Sequence, residues 1–432
     1  MLNIGINIFF LLAIVICAFR NYRISVLLYV IGMFVSPVIH IGTLYLSFDI
    51  WCFPVLFLIV LLKWNRGLRV KIDCFSLLPY FLIYIVIMAV NAIVYQAGIS
   101  LPTVYAILRF ILTIAIIKNA WQDELLFWVD KALFAILLVN LSCCVLQLTN
   151  LVPVDVFYNF YYKPSMTPLM TQLQAGRFDR AYGATGTPVY LGAIAALSYA
   201  FYIPACVGED TKGIKLRYGK LMIAAACGMM ALSKTAILSI PLITIFSMIV
   251  YLCNEKKRGL KSLLRFGAFL LGGICVLVLI AVWLESKGYF ILYYLEFLKD
   301  PLKAFETRYN SETGILSGAM KIIKANLLFG VGNRVFPDVF VGDSVYVVLL
   351  YETGILGLLA YMFPYIFAFV RSIREKQLSQ SAILFAFALV ATGGSFYLSY
   401  FWVLFSAFIF GSLSKTENTG YSSERILQNL IL

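Results

Sequence analysis

Long apolar runs separated by short polar stretches organise the whole 432-residue chain. The runs are about 16 to 25 residues long, enough for a helix to cross a hydrocarbon core of about 30 Å. The last run, 382–412, is interrupted by Gly393 and Gly394 and is expected to hold two short spans. The other predicted spans are about 4–19, 24–43, 46–62, 74–95, 101–117, 125–149, 187–206, 219–233, 235–252, 266–284 and 344–369. The pattern predicts an all-α polytopic membrane protein with 12 or 13 transmembrane helices in a single integral-membrane domain, residues 1–432.

Basic residues give this topology an orientation. Four short basic loops fall on one side of the predicted bundle, which the positive-inside rule makes cytoplasmic. They are "KWNRGLRVK" (63–71), "KGIKLRYGK" (212–220), "NEKKRGLKSLLR" (254–265) and "RSIREK" (371–376). The net charge of +13 is thereby explained by topology. No basic domain outside the membrane is expected, so nucleic acid is not an expected partner.

Two long loops, 150–186 and 285–343, lie on the opposite, periplasmic side and are rich in aromatic residues and arginine. Loops of this length are usually functional or disordered, and the aromatic composition favours function. Within the second loop, "SGAMKIIKANLLFG" (317–330) places Lys321 and Lys324 on one helical face and Met320, Ile323 and Leu327 on the other. We predict an amphipathic helix in the outer membrane interface.

The composition, 62% hydrophobic and 13% charged, is far from that of a soluble domain. The nine cysteines include no CxxC pair and are expected to be buried apolar residues. His40 is the single histidine, so a histidine-based metal site is excluded. No metal and no cofactor are expected.

Candidate chemistry lies in the long loops and at one helix tip. Arginine has a planar charged fork that suits phosphate oxygens, although a solvated loop charge or a lipid-headgroup contact is the simpler explanation of any single arginine. Lys234 interrupts the apolar run 221–252, which the orientation rule divides into a hairpin with Ser233 and Lys234 at its outer tip. A lysine there is either functional or extended towards the headgroups. The loop arginines are Arg177, Arg180, Arg308 and Arg334.

Two carboxylates and a glycine-rich turn complete the candidates. Asp343 lies at the mouth of the span 344–369, where it could cap the helix or accept a proton from a sugar hydroxyl. Glu352, farther along that helix, is expected to face the bundle interior or a wet cavity. "GVGNR" (330–334) has neither P-loop nor dinucleotide-binding spacing, which leaves a structural turn or a part of the outer loop's site.

The order of these motifs resembles the superfamily of Wzy-type O-antigen polymerases and O-antigen ligases. "RAYGATGTP" resembles its Arg-x-x-Gly…Pro segment, and "ALSKTAIL" its Ser-Arg helix tip, with Lys234 in place of arginine. "ANLLFGVGNRVF" and "DSVYVVLLYETGILGLL" resemble the later segments of the second loop and the span after it. Asp343 stands where ligases usually have histidine, a departure that favours a polymerase.

The resemblance implies a metal-independent glycosyltransferase of the bacterial inner membrane whose active site faces the periplasm. Its substrates would be oligosaccharides on undecaprenyl diphosphate, and a chain-length regulator is a possible partner besides membrane lipid. Arg180 and Arg308 would be catalytic together with Asp343. The substrate-binding residues would be Lys234, Arg177, Arg334 and Tyr346. An O-antigen ligase acting on lipid A–core and a lipid-linked oligosaccharide flippase or other transporter are the alternatives.

Overall fold

A computed structural model shows a bundle of helices with one small β-hairpin. It describes residues 2–41, 44–64, 77–95, 100–149, 151–152, 154–161, 180–207, 216–254, 267, 278, 282, 285–286, 299–300, 306–310, 312–334, 336, 339–342, 344–394 and 398–417. The predicted span 266–284 lies almost entirely outside the described residues. Arg177 and Asp343 also lie outside the described residues.

Fourteen α-helices of at least eight residues lie in the described part of the chain. The first seven are α1 (Leu2–Arg20), α2 (Tyr22–Val35), α3 (Phe48–Trp64), α4 (Leu78–Tyr95), α5 (Leu101–Ala120), α6 (Leu125–Leu148) and α7 (Val154–Tyr161). The remaining seven are α8 (Pro188–Val207), α9 (Arg217–Met230), α10 (Lys234–Asn254), α11 (Ser317–Ala325), α12 (Val345–Arg374), α13 (Leu378–Val390) and α14 (Tyr400–Glu417). Strands β1 (Ile39–Ile41) and β2 (Leu44–Leu46) pair antiparallel.

The all-α membrane architecture is confirmed by length and composition. Six of the described helices, α1, α5, α6, α8, α10 and α12, are long and apolar enough to cross a bilayer, and shorter apolar helices accompany them. The predicted division of 382–412 into two spans agrees with α13 and α14. The predicted hairpin is also present, because α9 ends at Met230 and α10 begins at Lys234.

The prediction of one helix over 24–43 is wrong in its second half. Helix α2 ends at Val35, and its C-cap Ser36 has an extended backbone with φ −72° and ψ 139°. The next residue is Pro37, whose ring disfavours the helical conformation for the residue before it. The chain then turns through β1 and β2, so His40 lies in the hairpin rather than in a membrane span and stacks edge-on against Tyr45.

Contacts between helix ends define one end of the bundle, which we call the basic end. The α1–α2 turn meets the α5–α6 turn, where Arg23 Nη1 lies 3.0 Å from Glu124 Oε2. Lys220 Nζ donates to both oxygens of Asp130 at 2.7 Å, which joins the starts of α9 and α6. Arg371 belongs to this end as well, in the last turns of α12.

The opposite end, which we call the tip end, carries the β-hairpin, α7 and the α9–α10 turn. Val38 N–H donates to the Phe160 carbonyl at 2.9 Å, and Asn3 Nδ2 donates to the Val38 carbonyl at 3.2 Å. The start of α1 therefore lies at the tip end, which fixes the N-terminal orientation relative to the basic loops.

Helix α8 forms the centre of the bundle. In an 18-residue apolar stretch of α8, 89% of the residues are buried, whereas only 17% are buried in the corresponding stretch of α1. Close packing on the α9–α10 hairpin depends on Gly192, where an added Cβ would lie 2.7 Å from Ser233 Cβ. The tip of this hairpin is therefore held against the best-packed helix of the protein.

Candidate functional site

A buried turn before α8 positions Arg180. Two amides of α6 hold this turn: Gln147 accepts from the backbone N–H groups of Tyr182 and Gly183 at 3.1 Å, and Asn140 accepts from Ala184 N–H at 3.0 Å. Gln147 Nε2 also donates to the Gly183 carbonyl at 3.0 Å. Because both amides are buried, the turn is fixed in position by the bundle interior.

Arg180 lies against the tip of the α9–α10 hairpin. Its Nε donates to the Ala231 carbonyl at 3.2 Å, and Ala181 N–H donates to the Met230 carbonyl at 2.9 Å. The predicted hairpin tip and the predicted arginine segment, which are about 50 residues apart along the chain, thus meet at one place.

Lys234 is the exposed first residue of α10. A helix N-terminus carries a partial positive charge that favours anions. The first turn of α10, which is fully described, contains no acidic residue. The ammonium and the helix dipole therefore add to one another, and the tip favours a negatively charged ligand.

The turn after α13, residues 391–394, connects this tip to the second long loop. A Cβ on Gly393 would meet the side chain of Thr235, the neighbour of Lys234. Tyr309, the neighbour of Arg308, donates its hydroxyl to the Thr392 carbonyl at 2.7 Å. Arg308 is partly buried, and its carbonyl accepts from Leu316 N–H at 3.0 Å.

The start of α12 joins the same turn. Val345 N–H donates to the Ala391 carbonyl at 2.9 Å, and Tyr346 donates its hydroxyl to the Ala388 carbonyl at 3.0 Å. The structure therefore gathers the segments carrying Arg180, Lys234 and Arg308 around residues 391–394. We call these three side chains the cationic cluster. Asp343 precedes Ser344 but lies outside the described residues.

The "GVGNR" segment docks into a break in α12. At Gly354 the helix backbone has φ 63° and ψ −165°, which is not helical. Val331 N–H donates to the Tyr351 carbonyl at 2.8 Å, and Gly332 N–H donates to the Glu352 carbonyl at 2.9 Å. In the other direction, Ile355 N–H donates to the Leu327 carbonyl at 2.8 Å. We call this arrangement of residues 327–332 and 351–356 the helix break.

Two glycines make this close approach possible. A Cβ on Gly354 would lie 2.3 Å from the Leu328 carbonyl oxygen, and one on Gly330 would lie 2.5 Å from the Tyr351 carbonyl oxygen. Both have positive φ, which L side chains rarely adopt. The segment is thus a turn, as one interpretation of the sequence held, but its partner is a membrane helix rather than solvent.

The amphipathic prediction for 317–330 is confirmed over α11 and needs correction beyond it. Ala319 and Ile323 are buried against α12 residues Val347 and Tyr351, while Lys321 and Lys324 are exposed. The helix ends at Ala325, and Leu327, predicted on its apolar face, lies in the turn that follows and is 49% exposed. The packing of α11 explains this end, because residues 327–332 must turn into the helix break.

The remaining predicted residues are less central. Arg334 is exposed, and its guanidinium lies 4.7 Å from the centre of the Phe336 ring. The Arg334 carbonyl accepts from the Tyr351 hydroxyl at 2.7 Å. Arg334 therefore lies beside the helix break, and no described contact joins it to residues 391–394.

Several polar residues of the site were not identified from the sequence. Asn140 and Gln147 are seven residues apart and share one face of α6, and polar side chains inside a predicted membrane helix were the available signal. The same signal applied to Asn91 and Tyr84 in α4, near the helix break. Among the described residues no group of three or more His, Cys, Asp or Glu side chains could hold a metal ion.

Comparison with known proteins gives no match: no family model fits the chain, and no curated protein is significantly similar to it. The chemistry of the cationic cluster is therefore the basis on which a function is proposed.

Proposed function

We propose that the protein is a Wzy-type polysaccharide polymerase of the bacterial inner membrane. It joins oligosaccharide repeat units carried on undecaprenyl diphosphate at the periplasmic face. The observation that carries the proposal is the convergence of the segments that carry Arg180, Lys234 and Arg308 around residues 391–394 at the tip end. Three cations at the membrane surface suit a diphosphate that is anchored in the bilayer by its own lipid.

The proposed reaction needs charge stabilisation more than any other assistance. The anomeric carbon of the donor glycan is attacked by a hydroxyl of the acceptor repeat unit, and the bond to the diphosphate breaks. Negative charge then develops on the departing lipid diphosphate, where fixed cations stabilise it most. Asp343, just before α12, is proposed to orient the attacking hydroxyl, and Arg177 and Arg334 to bind outlying phosphate or sugar groups.

Charge placement favours this proposal over a transporter. Inside the bundle, Arg109 Nη1 lies 3.0 Å from Asp49 Oδ2, and Lys220 is paired with Asp130. Each pair is largely buried and neutralises itself, which a structural role explains. The cationic cluster, by contrast, lies at one end of the bundle, where a lipid-linked anion is expected.

Deletion of the gene tests the proposal. In a strain that makes a surface glycan with this protein, loss of a polymerase should leave glycan of one repeat unit on its normal anchor, because single units are still flipped and ligated. Gel separation of the extracted glycan measures this. Loss of a ligase would instead leave a bare anchor with long lipid-linked chains, and loss of a flippase would trap single units on the cytoplasmic leaflet. Either result would contradict the proposal.

The orientation is tested by cysteine labelling in a variant without native cysteines. Met170→Cys and Phe305→Cys should react with a membrane-impermeant thiol reagent in intact spheroplasts, since both long loops are proposed to face the periplasm. Arg258→Cys should react only after permeabilisation. The reverse labelling pattern would place the cationic cluster in the cytoplasm and rule out the proposed reaction.

A further inference from the structure

We infer that the helix break holds a second polar subsite that binds a sugar hydroxyl of the acceptor, with Glu352 as the group that takes the hydroxyl proton. This inference rests on the proposed polymerase function and adds the acceptor side of the reaction. It arises from polar side chains that the fold buries beside the break, of which Asn91 has no hydrogen-bond partner among the described residues.

Asn91 is the clearest of these side chains. It is 1% exposed, and neither its Oδ1 nor its Nδ2 has a hydrogen-bond partner within the described residues. The amide lies directly under the docked turn, since a Cβ on Gly332 would be 3.2 Å from Asn91 Nδ2. A buried amide without a partner costs free energy, so its retention indicates a ligand or ordered water.

Tyr84 lies on the same face of α4 as Asn91, about two turns earlier. It is fully buried, and its hydroxyl forms no well-aligned hydrogen bond in the described part of the chain. Asn333 and Thr103 lie close enough to that hydroxyl to interact with it directly, and the Glu352 carboxylate acts on it through its charge. Asn333 Nδ2 is buried as well.

The chemistry of this group matches a hydroxyl ligand. A sugar hydroxyl donates one hydrogen bond and accepts others. Asn91 and Asn333 supply amide donors, Tyr84 can do either, and a carboxylate only accepts. Glu352 is partly buried and is therefore the member of the group that combines access with the ability to accept a proton.

The position of Glu352 along α12 suits a two-part site. Ser344 lies where α12 meets residues 391–394, and Glu352 follows eight residues later, about 12 Å along the helix axis. Both residues precede Gly354, and Val345 N–H at the start of this segment donates to the Ala391 carbonyl beside the cationic cluster. Glu352 is thus placed on the same side of Gly354 as the cationic cluster.

In the reaction, the acceptor hydroxyl oxygen forms a bond to the anomeric carbon of the donor glycan. The bond from that carbon to the diphosphate oxygen breaks, and its electron pair leaves with the undecaprenyl diphosphate. The hydroxyl proton passes to the Glu352 carboxylate, which later releases it to water. No metal ion, oxidant or other reactant is required.

The test uses the full-length protein in lipid nanodiscs with lipid-linked single repeat units isolated from the deletion strain. Glu352→Gln should bind the radiolabelled unit as the wild type does. It should extend chains about a hundred- to ten-thousandfold more slowly, because a positioned proton acceptor usually contributes a rate factor of that size. The wild-type rate should fall as the pH is lowered, because the Glu352 carboxylate must be ionised to accept the proton. The Gln variant should lose this pH dependence, and Glu352→Asp should recover part of the rate. Asn91→Ala should bind the unit about tenfold more weakly.

The controls separate the possible failures. Glu312→Gln removes an exposed carboxylate of the same loop and should leave the rate and pH profile unchanged. Wild-type rates from a folded Glu352→Gln protein would overturn the inference alone. So would a slow Gln variant that keeps the wild-type pH profile, which would mean a structural role or bound water only. Loss of the pH dependence in Asp343→Asn but not in Glu352→Gln would assign the proton to Asp343. No extension by the wild type would overturn the polymerase proposal itself.

Discussion

Alanine in place of Arg180, Lys234 or Arg308 should slow glycan polymerisation about a hundred- to thousandfold in each case. Removal of one preorganised donor to a developing anion typically costs about 3–4 kcal/mol of transition-state stabilisation. The three side chains belong to segments that converge on residues 391–394, so each is expected to act on the same diphosphate. The rate of chain extension in nanodiscs and the repeat number of the surface glycan measure the effect.

Matched variants decide whether these losses come from the site. Lys321→Ala removes an exposed cation from α11 on the same side of the protein and should leave polymerisation unchanged. Arg308→Lys should recover the rate only in part, because an ammonium cannot make the paired planar contact of a guanidinium. Since Arg180 also donates to the Ala231 carbonyl, protein abundance must be measured beside activity. Normal chains from all three alanine variants would exclude the cationic cluster as the site.

Gly354→Ala should unfold the helix break and strongly lower both thermal stability and activity. Alanine at φ 63° and ψ −165° is strained by about 1–3 kcal/mol, and its Cβ would lie 2.3 Å from the Leu328 carbonyl oxygen. Residues 327–332 must then move away from α12. The backbone groups of Tyr351, Glu352 and Ile355 lose their hydrogen-bond partners, which costs several kcal/mol for each unsatisfied group in or near the membrane. Val331→Cys provides the local measurement: Val331 is 2% exposed, so the thiol should be unreactive in the parent protein and reactive with Gly354→Ala.

The control for this variant is Gly219→Ala. Gly219 lies in α9 at an exposed position where an added Cβ meets nothing within 4 Å. Alanine is favoured over glycine in a helix by about 1 kcal/mol, so stability should be unchanged or slightly raised and the thiol at position 331 should stay protected. A Gly354→Ala protein with parental stability and a protected thiol would show that the break tolerates a side chain.

The α9–α10 hairpin shows what the sequence allowed. The apolar run 221–252 is too long for one ordinary span, and the basic loops on either side require an even number of crossings there. The length of the run and the position of the basic loops can both be read directly from the sequence, so the turn at Ser233 and Lys234 could be predicted. The β-hairpin after Val35 was missed because the apolar run continues past Pro37, although the proline was a signal against a continued helix.

The helix break could not be predicted from its own residues. "YETGILGLL" reads as continuous apolar helix, and a single glycine in such a run is ordinarily tolerated. The break at Gly354 exists because residues 327–332, more than twenty positions earlier, supply the backbone partners. The convergence on residues 391–394 was equally hidden, because local periodicity does not state which helices are neighbours. Each cation was identified singly, and only the packing of the bundle relates them.

The short helices α9 and α13 have a consequence for the lipid around the protein. They contain 14 and 13 residues and rise about 20 Å, yet both start at the basic end and finish beside the cationic cluster. In a bilayer with a hydrocarbon core of about 30 Å, and in the proposed orientation, their ends stop well below the outer headgroups. We expect the hydrophobic mismatch to be relieved by thinning of the outer leaflet or by water entering above the helix ends. In the proposed function, a diphosphate on a polyprenyl chain would then sink to the cations while its tail stays in the leaflet, so the deformed membrane would itself be part of the route by which substrate arrives.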